Sequence, residues 1–163
     1  MLKIKLQEDL KDSLKSGDKV KRLTLGTLMA SIKSREIIKR GQLSKTINDS
    51  VWLEQQSQLN DEEIIQVIAS EAKKRKESIE QFNAGGRAEL AEKEQLELDV
   101  LNAYLPEQLG EDDIRKEVEA VIAETVAKDI KDMGKVVSGV MTRLKGRADG
   151  SIVSRIVKEL LAS

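Results

Sequence analysis

The sequence contains no cysteine and no histidine. The lack of cysteine excludes disulfides, thiolate nucleophiles, iron–sulfur clusters and cysteine-ligated zinc. The lack of histidine removes the commonest general base and the commonest metal ligand. Any chemistry would depend on carboxylates, lysines and hydroxyls, so we expect no metal and no other cofactor.

Proline, aromatic residues and long apolar segments are also scarce. The chain has one proline, Pro106, and three aromatic residues, Trp52, Phe82 and Tyr104. It has no apolar run long enough to cross a bilayer and no N-terminal signal pattern. These absences predict a cytoplasmic protein without a membrane partner.

The residues that remain favour helices. Hydrophobic residues make up 39% of the chain and charged residues 35%, and Leu, Ile, Ala, Lys and Glu dominate. Straight-chain residues lose little side-chain freedom in a helix, and this composition suits amphipathic helices. We therefore predict an all-α fold.

The first half of the chain predicts two long helices and a loop. The first helix is expected at about 2–15, where Ser16, Gly17 and Asp18 end it, and the second follows Asp18 as its cap and ends at Gly41. The apolar residues of the second helix are too many for one stripe, so we expect it to be buried centrally with neighbours on two sides. The polar segment 42–59, which contains Trp52, predicts a surface loop.

The next segment predicts a helical hairpin. Asn60 followed by Glu63 is typical of a capped helix start, and Asn and Gly residues at 83–86 are typical of a helix end. A further helix is expected at about 87–105, where Pro106 prevents its continuation.

Proline and glycine fall closest together at 106–110, which we interpret as a linker. It separates an N-terminal helical domain, 1–105, from a small domain, 111–163, in which three amphipathic helices can close one core. The β-branched run at 136–140 would also suit a short strand, but its flanks favour helix.

Charge is distributed unevenly, at +7 over residues 1–45, −7 over 46–105 and −1 over 106–163. Such segments either neutralise one another in a packed domain or leave a basic face for an anionic partner. One candidate phosphate contact is the run of Lys73, Lys74 and Lys76 around Arg75. The alternative is a solvated ladder of ion pairs, in which Glu71 pairs with Arg75, Lys73 with Glu77 and Lys76 with Glu80.

A second basic cluster comprises Arg143, Lys145, Gly146 and Arg147. Its neighbours in sequence offer no acid before Asp149, so its charges are expected to lack nearby partners. Gly146 and Gly150 bracket a turn that would let a nucleic-acid backbone approach, with the amides of the next helix available to a phosphate. The simpler alternative is a helix connection in which Asp149 caps that helix.

The residues show no catalytic machinery. The segment 132–135 reads DMGK, without the glycine-rich lead-in or the following Ser/Thr of a phosphate loop. The serines do not form a nucleophile elbow, and no carboxylate pair stands out.

Taken together, several segments resemble the YqeY family over nearly the whole chain. They read RLTLGTLMASIK at 22–33, LNDEEIIQV at 59–67, KRKESIEQF at 74–82, YLP at 104–106, DMGK at 132–135 and GRADG at 146–150. Residues 140–161 are similar to the tail of the B subunit of tRNA-dependent amidotransferases, which is a helical tRNA-binding module. This chain has Ala148-Asp149-Gly150 where that subunit usually has Ala-Asn-Pro, and it lacks the subunit's catalytic domain.

The resemblance implies an association with a carbon–nitrogen ligase that uses glutamine as amido donor. We expect this chain to be a stand-alone or accessory module that binds tRNA or an enzyme charging or amidating tRNA. The competing hypothesis is a protein–protein adaptor with no nucleic-acid role. Scarce aromatics disfavour single-stranded RNA readout by stacking, whereas contact with a folded tRNA needs only amides and basic side chains.

Overall fold

Eight α-helices make up the structure, a computed structural model that describes residues 1–127 and 129–162. Lys128 and Ser163, both inside the predicted second domain, lie outside the described residues. The described residues contain no strand, which confirms the predicted all-α fold. Within the same residues, no helix has the length and apolar character needed to cross a bilayer.

The chain divides into two compact units, Met1–Tyr104 and Leu105–Ser163. The helices of the first unit are α1 (Leu2–Ser16), α2 (Lys19–Leu43), α3 (Ser50–Ser57), α4 (Asp61–Ala84) and α5 (Ala88–Asn102). Those of the second unit are α6 (Glu111–Thr125), α7 (Met133–Leu144) and α8 (Gly150–Leu161), with a 3-10 turn at Ile130–Asp132 before α7.

The helix boundaries follow the local signals in the sequence. Gly17 ends α1 in the left-handed conformation, at φ 76°, which glycine adopts without steric cost. The Asp18 side chain caps α2 by accepting a hydrogen bond from the Lys21 amide at 2.9 Å. At α4, Asn60 and Glu63 form the predicted capping box, with bonds of 2.9 and 2.8 Å between each side chain and the other's amide.

The prediction of a surface loop throughout 42–59 is wrong at Ser50–Ser57, where α3 lies. Asp49 caps α3 by accepting from the Trp52 amide at 2.8 Å. The helix packs on α2, where Arg40 forms an ion pair with Glu54. A short polar helix of this kind has almost no amphipathic signal, and its packing against α2 stabilises it.

Helix α2 packs against α1, α3, α4 and α5, in agreement with the expected central position and neighbours on two sides. Leu25, Leu28 and Ile32 are buried, and each contributes about 1.5–3 kcal/mol to folding. The expectation of burial for the remaining apolar residues of α2 is wrong in part, because Leu23, Ile37 and Ile38 are more than half exposed.

Among the polar contacts that tie α1 to the rest of the first unit, two involve the carboxylates of Glu36 and Asp9. Glu36 of α2 is buried, and its Oε1 accepts from Lys3 Nζ at 2.5 Å and from the Leu59 amide at 3.2 Å. The hydroxyl of Tyr104 donates to Asp9 Oδ2 at 2.7 Å. Both carboxylates therefore hold segments that are distant in sequence.

The second unit buries one small apolar core between α6, α7 and α8. The run at 136–140 is helical and not a strand, because Val136 and Val140 are four residues apart and both fully buried on one face of α7. Gly139 lets α6 approach closely, since a Cβ built there would lie 3.1 Å from Val121 Cγ1. The buried members of this core are Ile114, Val118, Val121, Val136, Val140, Leu144, Ala148, Val153, Ile156 and Val157.

Candidate nucleic-acid interface

The basic cluster at 143–147 forms the turn between α7 and α8. Lys145 and Gly146 both adopt the left-handed conformation, at φ 45° and 82°. The Lys145 amide donates to Met141 O at 3.2 Å, and the Arg147 amide donates to Leu144 O at 2.8 Å. The turn therefore closes α7 through its own backbone.

The segment before α6 holds this turn from the other side. The Gln108 side-chain amide donates to Gly146 O at 2.9 Å, and the Leu109 amide donates to Arg147 O at 2.8 Å. Gly146 is buried, whereas the side chains of Arg143, Lys145 and Arg147 are exposed. The result is a backbone fixed on both sides that presents three cationic side chains to solvent.

The N-terminus of α8 is capped by the protein itself. Asp149 Oδ1 accepts from the Ser151 amide at 2.9 Å and from the Ser151 hydroxyl at 2.6 Å. The capped helix connection is therefore the arrangement found, and the carboxylate of Asp149 occupies the place where a phosphate would meet the first turn of α8. Any phosphate contact at this turn has to use the basic side chains.

The expectation that these cations lack nearby acids is wrong for Arg143. Its guanidinium forms a hydrogen-bonded ion pair with Glu124 and lies 3.9 Å from Glu117. The hydrogen bond and charge of Glu124 raise the pKa of Arg143, and the same hydrogen bond lowers the pKa of the Glu124 carboxyl. Both acids come from α6, so the spacing of residues around the turn gave no sign of them.

Arg147 has a neutral partner, because its Nε donates to the backbone carbonyl of Glu107 at 3.4 Å. A carbonyl leaves the charge of the guanidinium uncompensated. Arg143 and Arg147 also line one open cavity of about 310 Å³ between α6 and the turn. The other residues lining that cavity are Leu109, Asp113, Lys116, Glu117 and Leu144.

The basic run on α4 belongs to the first unit and is engaged with acids. Lys73 lies 3.9 Å from Glu77, which confirms that predicted pair, and Lys74 lies 2.8 Å from Glu71. Lys76 is exposed on the same helix.

The predicted pair of Glu71 and Arg75 is wrong. Arg75 turns away from α4 toward α5, where its guanidinium lies 2.9 Å from Glu97 and 3.5 Å from Glu94. Arg75 thus joins the two helices of the hairpin, because α5 supplies acids closer than those of its own helix.

The sequence did not single out a groove that lies between α2 and α4. Its larger cavity measures about 400 Å³ and its smaller one about 190 Å³, and both are lined by Arg35, Ile38 and Val67. One signal could have indicated it, since Arg35 has no acid three or four residues away on its helix.

Comparison with known proteins places this architecture in a family. A protein of Pyrenophora tritici-repentis named altered inheritance of mitochondria protein 41, mitochondrial, is 31% identical over 162 residues, which cover 98% of this chain and 80% of that protein. Proteins with the same name from Eremothecium gossypii and Candida glabrata are 32% and 29% identical. Those matches cover 61% and 63% of this chain but only 46% and 48% of the relatives, about half their length.

The prediction of a cytoplasmic protein is wrong on this comparison, because the names of all three relatives place those proteins in mitochondria. The family model described as Yqey-like protein matches residues 3–161, nearly the whole chain. The chain therefore belongs to the YqeY family, as the sequence segments indicated.

Proposed function

We propose that this chain is a binding module for folded tRNA, acting alone or beside an enzyme that amidates tRNA, and that the α7–α8 turn makes the contact. The observation that carries the proposal is the turn itself, where three exposed cations project from a backbone held by hydrogen bonds on both sides. A fixed backbone limits the conformational entropy that binding would otherwise remove. The similarity of residues 140–161 to the tRNA-binding tail of an amidotransferase subunit supports the same site.

Two of the three cations differ in what binding would require of them. Arg147 keeps its full charge beside a neutral carbonyl, so it can meet a phosphate directly. Arg143 must first exchange Glu124 for the phosphate, which reduces the binding free energy that its contact contributes. We therefore expect the turn to contribute about two phosphate contacts to the affinity.

The test compares two triple variants of the full chain in binding to total tRNA between 50 and 200 mM salt. Replacing Arg143, Lys145 and Arg147 by Ala should flatten the slope of log affinity against log salt by about two units, at about 0.9 for each phosphate contact. The matched control replaces Lys73, Lys74 and Lys76 by Ala, which removes equal charge from residues of α4. This control should leave affinity and slope nearly unchanged.

Folding should survive both sets of changes, since exposed ion pairs contribute little to stability. Unchanged binding by the turn variant, or no binding of tRNA by the unaltered chain at low salt, would reject the contact. The adaptor hypothesis would then take its place.

A further inference from the structure

A second surface, independent of the proposed tRNA contact, lies in the groove between α2 and α4. The two helices run antiparallel, and two side-chain bonds join them. The Ser31 hydroxyl donates to Glu71 Oε1 at 3.2 Å, and Lys39 Nζ lies 2.8 Å from both carboxylate oxygens of Glu63. These bonds lie eight residues apart on each helix, so they frame two helical turns of the groove.

The residue midway between them on α2 is Arg35, and the residue midway on α4 is Val67. An acid at that place would continue the series of interhelical bonds, but Val67 is apolar and largely buried. Across residues 1–127 and 129–162, no hydrogen bond or ion pair engages the Arg35 side chain, which is exposed. The groove thus contains one uncompensated guanidinium at its centre.

The charges that line the groove leave a surplus of one positive charge. Its cations are Arg35, Lys39 and Lys74, and its acids are Glu63 and Glu71. Glu71 accepts from Lys74 at 2.8 Å in addition to Ser31. Burial works to raise the pKa of Glu63, yet the hydrogen bonds from Lys39 and from the Asn60 amide lower it, so this carboxylate stays ionised beside its lysine.

The rest of the lining is apolar or uncharged. Ile38 is 53% exposed and lines both cavities, and Leu43 and Leu59 extend the apolar floor of the larger one. The uncharged polar groups that line the two cavities are the amides of Gln42 and Gln66 and the hydroxyls of Ser31, Ser34 and Ser70. The lining begins at Leu59, just before α4, and extends to Lys74, so the groove follows α4 from Asp61 for about 20 Å, at 1.5 Å per residue.

We propose that this groove binds an amphipathic segment of a partner protein whose apolar side chains cover Ile38 and its neighbours and whose single carboxylate pairs with Arg35. The dimensions suit a helix of about four turns lying along α2 and α4. One isolated cation between two carboxylates that already accept from other side chains suits one acid of a peptide. A nucleic acid would bring several phosphates close to Glu63 and Glu71 and would leave the apolar floor unused.

The experiment selects binders from a phage-displayed library of random 16-residue peptides on the immobilised full chain. The unaltered chain should enrich peptides with one Asp or Glu flanked by apolar residues at three- or four-residue spacing. Arg35→Glu should weaken the best of these peptides by about tenfold or more and should select Lys or Arg at the acidic position. Ile38→Ser should also weaken them, because it removes part of the apolar floor.

The matched control is Arg22→Glu, since Arg22 is an exposed arginine of α2 that does not line the groove. It should leave both affinity and consensus unchanged. Circular dichroism checks that each variant is folded. Both arginines are exposed, and substitutions at exposed positions usually change stability little. The proposal would be overturned if no peptide is enriched, if Arg35→Glu selects the same consensus, or if Arg22→Glu has an equal effect. It would also be overturned if no peptide is selected and Arg35→Glu loses binding to tRNA.

Discussion

Replacing Tyr104 by Phe tests whether the bond between the two ends of the first unit stabilises it. The Tyr104 hydroxyl donates to Asp9 Oδ2 at 2.7 Å and joins residues 95 positions apart. A hydrogen bond to a charged group contributes about 1.5–3 kcal/mol to stability. Asp9 is 26% exposed and also accepts from Lys21 at 3.3 Å, so water and Lys21 would compensate in part. We therefore expect Tyr104→Phe to cost about 1–1.5 kcal/mol.

The pH dependence of this loss has a definite sign. The hydrogen bond from Tyr104 lowers the pKa of Asp9 below its ordinary value of 3.8, so the stabilisation is present above about pH 4 and is lost as pH falls through the lower value of the folded state. Burial and the bond to Asp9 raise the pKa of Tyr104 above its ordinary value of 10.0. That contribution is present below pH 10 and is lost as pH rises further. The difference between the two proteins should be constant from about pH 5 to 9 and narrow on either side.

Trp52 provides the assay, because it is the only tryptophan of the chain and belongs to the first unit. Thermal unfolding followed by its fluorescence should show a midpoint lower by about 4–10 °C for Tyr104→Phe at pH 7. Asp9→Asn serves as the partner variant, and a double-mutant cycle isolates the energy of the bond. A loss below about 0.3 kcal/mol at pH 7, or an equal loss at pH 7 and pH 3, would refute the reasoning.

Four further substitutions test the roles of single residues, each by thermal unfolding. Gly26→Ala, in the middle of α2 with open space around a new Cβ, should stabilise by about 0.5–1 kcal/mol, whereas Gly139→Ala should stabilise less or destabilise because its Cβ would meet Val121 Cγ1 at 3.1 Å. Equal gains from both would contradict the close approach of α6 and α7. Glu36→Ala should cost about 2–3 kcal/mol, since it removes the ion pair of a partly buried lysine of α1, which keeps only the amide oxygen of Gln58, and leaves the Leu59 amide without its acceptor. A loss no larger than that of a surface substitution would disprove this role. Asn60→Ala should cost about 1 kcal/mol through loss of the capping box, and unchanged stability would show that the box contributes nothing.

Much of this fold could be predicted from the sequence, because it depends on interactions between residues close together in the chain. Helix starts at Asp18 and Asn60 depend on one side chain accepting from an amide three residues later, so the sequence alone specifies them. The all-α class followed from composition, and the hairpin of α4 and α5 from glycine between two apolar-periodic segments. Family membership was likewise visible in short segments spread along the chain.

Tertiary packing decided the features that depend on residues distant in sequence. Helix α3 exists because α2 supports it, and Ile38 is exposed because none of the described residues covers that side of α2. Arg143 pairs with Glu124 of another helix, α6. The acids close to it in sequence therefore did not predict its electrostatic environment. The groove around Arg35 depends on the register of two antiparallel helices, which places Val67 opposite it. A one-dimensional pattern records which residues share a helix face, whereas the partner across an interface is determined only when the helices pack.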